Sequence, residues 1–245
     1  AEKLLFQELG ISSTFNIDVI SISKLASLVL KLSGNQFKTQ SNLEGMLLVY
    51  KILIEHQAEF ESLKDANLSI DLAKEIFLTI SQLKSCEISA DKFLKSANEL
   101  ANQKLIDIAK IYSFYECSER EKIDAADLIT LFAQQIEESE LIKNSNFYFA
   151  EFDSFTSQAR TIIQLLVKCS RSVSIATCST TGENEYIYEQ DVLQKVAQIC
   201  ENLKIKPNII ICEKNQNEFQ KHIADNLFAF KQTLKNIPYG AAILN

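Results

Sequence analysis

Only five glycines and two prolines interrupt 245 residues, and this scarcity of chain-breakers limits the possible folds more than any other feature. Tight turns are built largely from Gly and Pro, so an all-β fold would lack corners and long helices are expected instead. Apolar residues recur at helical spacing along most of the first half. Glu2 to Leu9 forms a short amphipathic helix stopped at Gly10. Ser23 can cap a helix through Lys31 that ends at Gly34. A second helix, Leu43 to Phe60, carries Leu47, Leu48, Ile52 and Ile54, and a third, Ile70 to Ser85, aligns Leu72, Ile76, Ile80 and Leu83. Ser89 can cap a short helix leading into Gln103–Cys117, with Leu105, Ile108, Ala109, Tyr112 and Tyr115 as its stripe. Asp124 caps Ala125–Glu138, and Asp127 in its first turn complements the helix dipole. From Ser23 to Lys143 no strand is expected.

Strands are expected on either side of this helical stretch. Ile17-Asp-Val-Ile-Ser-Ile22 is rich in β-branched residues, and Phe147-Tyr-Phe-Ala-Glu-Phe-Asp-Ser-Phe155 opens with a short aromatic run of the kind that forms buried strands. After the second comes a helix, Ser157–Lys168, so apolar that packing against a sheet is predicted. A strand Ser172–Cys178, a loop Thr180–Asn184 and a helix Glu189–Leu203 follow. Beyond Pro207 come a strand Ile209–Cys212, a helix Glu218–Leu234 and a tail Ile237–Asn245. Alternating strands and helices imply a parallel sheet with right-handed crossovers. The fold class expected is therefore α/β but predominantly helical, with a small parallel sheet and a large all-helical insertion. Residues 1–22 and 144–245 form the α/β core, and 23–143 the insertion.

Acids at the carboxyl end of a strand that feeds a helix stand where open α/β sheets bind ligands. In a nucleotide-hydrolysing site one acid there holds Mg²⁺ and a second positions water. Such sites read four apolar residues, then Asp, then Glu; here Ala150 occupies the Asp place, Glu151 the next, and Asp153 follows two further on. Read alone, Glu151 and Asp153 are solvated or capping acids near a helix start. The phosphate-cradling loop GxxxxGK[ST] is missing, because no pair among Gly10, Gly34, Gly45, Gly182 and Gly240 has its spacing. This sequence therefore has no P-loop route to a nucleotide. There is no GxSxG, and the only histidines are His56 and His222. No catalytic residue is assigned.

A net charge of −7 gives no general attraction to nucleic acid or to an anionic membrane, so any DNA contact must be local. Lys24, Lys31 and Lys38 are the candidates. Tyr112, Phe114 and Tyr115 beside Lys104 and Lys110 could form an aromatic-basic surface, but at helical spacing they read as core. Glu137-Glu-Ser-Glu140 reads as the exposed end of a helix. Cys86, Cys117, Cys169, Cys178, Cys200 and Cys212 include no CxxC and fit free, mostly buried thiols in a reducing cytoplasm. Neither a signal peptide nor a membrane span is visible. The chain begins at Ala1 within a helical pattern, as a piece of something longer would.

The order of several segments resembles the B subunit of the AddAB/RexAB-type bacterial helicase–nuclease. Asp18-Val-Ile-Ser-Ile-Ser-Lys-Leu-Ala26 is similar to the family's V-x-S-F-S-R-L-A, and Met46-Leu-Leu-Val-Tyr-Lys-Ile-Leu-Ile-Glu-His56 to its M-L-L-R-K-x-I-E-E. Lys104–Tyr112 followed by Asp124-Ala-Ala-Asp-Leu128 resembles K-L-x-D-L-x-x-I-Y…D-x-x-D-L. Phe152, Phe155, Thr156 and Gln158 match Y-x-D-G-F-x-x-F-T-P-Q-E, with Ala150-Glu151 in place of Asp-Gly, and Asn226-Leu-Phe228 matches a closing N-L-F. The resemblance implies an incomplete P-loop helicase-like core. It implies a region that guides single-stranded DNA without hydrolysing nucleotide, docked on a motor A-type subunit in recombinational repair of double-strand breaks. ATP and Mg²⁺ would belong to the whole complex, and no cofactor is expected in this region. The competing reading is a helical protein–protein interaction domain with no nucleic-acid role. A hydrolase would require a P-loop upstream of Ala1.

Overall fold

The computed structural model describes residues 2–10, 16–118, 122–150, 152, 154–177 and 187–210. Among these the chain is mostly helical, with two short two-stranded sheets. Two compact units are distinguishable, Ala1–Phe147 with Thr156–Val173, and Tyr148–Phe155 with Ser174–Asn245.

The first unit opens with α1 (Glu2–Leu9), ended by Gly10 at φ +65°. Helix α2 (Ile22–Leu32) follows, and Gly34, at φ +81°, turns the chain where only glycine is unstrained. Next come α3 (Asn42–Glu55), a single 3₁₀ turn (Gln57–Glu59), α4 (Ile70–Ser85), α5 (Ala90–Glu99) and α6 (Gln103–Cys117). Helices α7 (Ala125–Gln135), α8 (Glu140–Lys143) and α9 (Ser157–Cys169) complete it. Side-chain caps start most of these helices. The Ser89 hydroxyl accepts from Lys92 N–H, and the Asp124 carboxylate from Asp127 N–H. Ser41 and Glu44 form a reciprocal capping box at α3, satisfying backbone donors that the first turn leaves without partners.

The main core is a layer of α3, α4 and α6. Val49, Ile52 and Leu53 meet Ala73, Ile76, Phe77 and Ile80, with Ile111, Tyr112 and Tyr115 closing the third side and Phe60 and Leu63 the end. Each buried Val, Leu, Ile or Phe among them contributes about 1.5–3 kcal/mol. Tyr112 and Tyr115 are therefore core residues, as their spacing predicts. Gly45 has a structural reason to be glycine: a Cβ there would lie 2.2 Å from the Phe77 ring, so α3 and α4 approach through it. Helix α2 packs on α7 and α5 on α6.

Several expectations are corrected. Ile17–Ile22 is not a strand: residues 17–21 have no regular secondary structure, Ile22 opens α2, and Ile17 and Val19 are exposed. Among the described residues the β-branched run has no strand to pair with, and Ser21 rather than Ser23 caps α2, its hydroxyl accepting from Lys24 N–H. Strands do occur between Ser23 and Lys143: β1 (Lys38–Thr39) pairs in parallel with β2 (Lys122–Ile123). Helix α7 stops at Gln135, and Ser139 caps α8, so Glu137–Glu140 spans a break between helices rather than one helix end. Helix α9 has helices α4, α7 and α8 as its main neighbours, rather than a sheet. Cys86 and Cys117 are exposed and Cys169 and Cys200 half-buried, all four free.

Strands β3 (Asn146–Phe149) and β4 (Ser172–Ile175) form the second sheet. Arg171 N–H donates to Ser145 C=O and Ala176 N–H to Phe149 C=O, both numbers rising together, so the pair is parallel, with α9 between them in sequence. The second unit also holds α10 (Ile187–Leu203), with Val192 and Ile199 buried. Ile209 and Ile210 are exposed and in no strand. The expected loop at Thr180–Asn184, Ile211–Cys212, the helix Glu218–Leu234, the motif Asn226–Phe228 and the tail lie outside the described residues. Among the described residues no helix is long and apolar enough to cross a membrane.

Candidate functional site

Ala150 is exposed immediately after β3, and its methyl group supplies no metal ligand. Glu151 and Asp153 lie outside the described residues. The motif residues around them are engaged in packing. Phe149, Phe152 and Phe155 form a ring cluster, with centroids 5.8 and 5.2 Å apart along the series. Lys195 Nζ of α10 donates to Phe155 C=O at 2.7 Å. Thr156 caps α9, its hydroxyl accepting from Ala159 N–H at 3.2 Å. Gln158 is buried, and its Nε2 donates to Ala126 C=O and Thr130 Oγ of α7 at 3.0 and 3.1 Å.

The other matched acids act similarly. Asp107 of α6 is fully buried. It accepts from Ser62 N–H at 2.7 Å, Ser62 Oγ at 2.5 Å, Glu61 N–H at 3.2 Å and the Gln103 side chain at 3.4 Å. Burial pushes this carboxyl up, but the Ser62, Glu61 and Gln103 donors outweigh it and hold it below its ordinary value. Asp107 thus pins the segment after the 3₁₀ turn to α6.

Glu116, Asp124 and Asp127 bring three carboxylates within 4.8 Å of one another, a spacing that could suit a divalent cation. A lysine ammonium stands in that place. Lys84, in the last turn of α4, is buried, with Nζ 2.9 Å from Glu116 Oε1, 2.7 Å from Asp124 Oδ2 and 2.7 Å from Asp127 Oδ1. The Tyr115 ring lies beneath it, 5.7 Å to the centroid, and Tyr115 Oη donates toward Asp124 and Gln40. Burial disfavours the charged amine, but hydrogen bonds to Asp124, Asp127 and Glu116 prevail and keep it protonated far above neutrality. Burial, with Asp124 close by, pushes Asp127 up despite the Lys84 hydrogen bond. Tyr112 is pushed up to about 12 by burial and by the charge of Glu116. Sequence reading missed Lys84. The available signal was its register, four residues beyond Ile80 and eight beyond Ile76 on the buried face of α4.

Lys24 and Lys31 lie seven residues apart on one face of α2, which contains no acid, and Lys38 begins β1. All three are exposed. Lys38 stands opposite Lys122 in the ladder, and Lys122 in turn pairs with Glu44.

Among the described residues, fold and site together define a mostly helical chain with two small parallel sheets, in which the recognisable motif residues serve as caps, anchors and core. The chain belongs to the AddB amino-terminal domain family, whose description, "ADDB, N-terminal", matches residues 1–234. It is similar to proteins named as the B subunit of an ATP-dependent helicase/deoxyribonuclease. The one from Oceanobacillus iheyensis is 25% identical over 217 residues, 83% of this chain and 19% of the relative. Those from Clostridium botulinum and a Thermoanaerobacter species are 25% identical over 252 residues and 24% over 242, covering 94% and 96% of this chain and 22% and 20% of the relatives. The chain thus spans about a fifth of the length of these relatives.

Proposed function

We propose that this region acts in a helicase–nuclease for double-strand break repair by recombination, as a scaffold that guides single-stranded DNA and does not itself hydrolyse nucleotide. On this reading residues 1–22 and 144–245 belong to an incomplete P-loop helicase-like core with 23–143 inserted. Ala150 marks a degenerate metal-binding position, a motor subunit is the partner, and ATP and Mg²⁺ serve the assembled cytoplasmic complex. The observation that supports DNA contact is the face of α2: Lys24 and Lys31 are exposed on a helix without an acid, and Lys38 is exposed at the start of β1. Exposed lysines of this kind can hold phosphates on a protein of net negative charge.

The test is the salt dependence of single-stranded DNA binding by the assembled complex carrying Lys24→Glu, Lys31→Glu and Lys38→Glu. Loss of three phosphate contacts lowers the slope of log affinity against log salt by about 2. An unchanged slope and affinity would leave the protein–protein interaction reading in its place.

A further inference from the structure

Helix α3 is apolar on two faces. Gly45, Val49, Ile52 and Leu53 are buried toward α4 and α6. On the other side run Leu43, Leu47, Tyr50 and Ile54, spaced four, three and four, the rhythm of a helix–helix seam. Leu43, Leu47 and Ile54 are 59%, 48% and 54% exposed, and Tyr50 between them is half-buried because it packs against the core of α3, α4 and α6.

The charges beside the seam narrow the choice of occupant. Lys51, the only lysine of α3, lies 3.7 Å from Glu55, and Glu44 pairs with Lys122. The seam thus offers matched charges at its rim and apolar side chains along its length, which suits a protein surface and not a phosphate backbone. A second copy is a poor fit. From Leu43 to Ile54 the helix presents a strip roughly 16 Å long, whereas a stable interface covers about 800 Å² per partner and roughly 20–30 residues. A strip this narrow suits a helix already tethered nearby. The relatives carry about four-fifths of their length outside the matched stretch.

We propose that Leu43, Leu47 and Ile54 form the docking face for an apolar helix supplied by the remaining length of the same subunit, which makes α3 an internal helix of the complete protein. The proposal rests on family membership and is independent of the DNA-guiding reading. The test introduces Leu47→Cys into the full-length subunit and measures maleimide labelling by peptide mass spectrometry, normalised to the same chain in denaturant. Leu43→Cys repeats the measurement at the other end of the seam. Both sites should label at least about tenfold more slowly than in the denatured chain, in the subunit alone and at all protein concentrations. Rapid labelling in both the subunit and the complex overturns the proposal. So does protection that appears only on adding the motor subunit, which assigns the face to that partner. Protection that grows with subunit concentration also overturns it, in favour of self-association.

Discussion

Replacing Lys84 by Met tests the central polar cluster directly. The side chain keeps its approximate volume, but Asp124 and Asp127 lose a cation at 2.7 Å and Glu116 one at 2.9 Å. Removing one partner from a buried ion pair costs about 3–5 kcal/mol, because the remaining charge stays desolvated. At about 2–4 °C per kcal/mol for a chain of this size, Tm should fall by roughly 6–20 °C. The effect also has a pH signature. Burial already pushes the Asp127 carboxyl above its unfolded value, and in the variant it loses the Lys84 hydrogen bond that opposed this. The folded state therefore takes up protons first, and the deficit shrinks as pH falls from about 7 toward 5. Urea denaturation of Lys84→Met and the unsubstituted chain across that range measures both effects. A double mutant with Asp124→Asn should lose less than the sum of the singles. A deficit below about 1 kcal/mol, or one constant over the pH range, would refute the assignment of Lys84 as the cation holding these acids together.

Two further substitutions probe other contacts. Gly45→Ala should destabilise by about 1–3 kcal/mol despite the higher helix propensity of Ala, because the new Cβ meets the Phe77 ring at 2.2 Å; a stabilised variant in thermal denaturation would contradict that packing. Asp107→Asn should cost about 2–3 kcal/mol at pH 7, since an amide satisfies the Ser62 and Glu61 donors less well than a carboxylate. The folded pKa of Asp107 is depressed, so its contribution is present above the ordinary carboxyl value and lost as pH falls below it. Equal deficits at pH 7 and pH 3 in urea titrations would contradict this.

Helix boundaries were legible where local chemistry sets them. Ile70–Ser85 and Gln103–Cys117 fall at the expected residues, and Ser89 and Asp124 cap as expected, because each cap bonds to an N–H three residues ahead. Ile17–Ile22 failed because β-propensity is only an aptitude for pairing, and the described residues offer it no partner strand. The β1–β2 ladder was illegible for the opposite reason: two residues on each side, from distant parts of the chain, leave no local pattern. The candidate site was legible as motifs and not as roles. Asp107, Asp124, Asp127 and Gln158 stand out in the family resemblance, yet their tasks depend on Ser62, Lys84 and Ala126, which only the folded chain brings near.

The Lys84 cluster also bears on how the helical unit can move. One ammonium is shared by acids on α6 and at the start of α7, while its own stem leaves α4. Sliding α4 by one helical turn, about 5.4 Å, would carry the charge away from all three acids at once and put an apolar residue among them. No intermediate position offers the acids another lysine from α4, whose other lysine, Lys74, is exposed. The three helices are therefore keyed to a single register. Shear between them is suppressed, and under load the bundle should transmit force as one body.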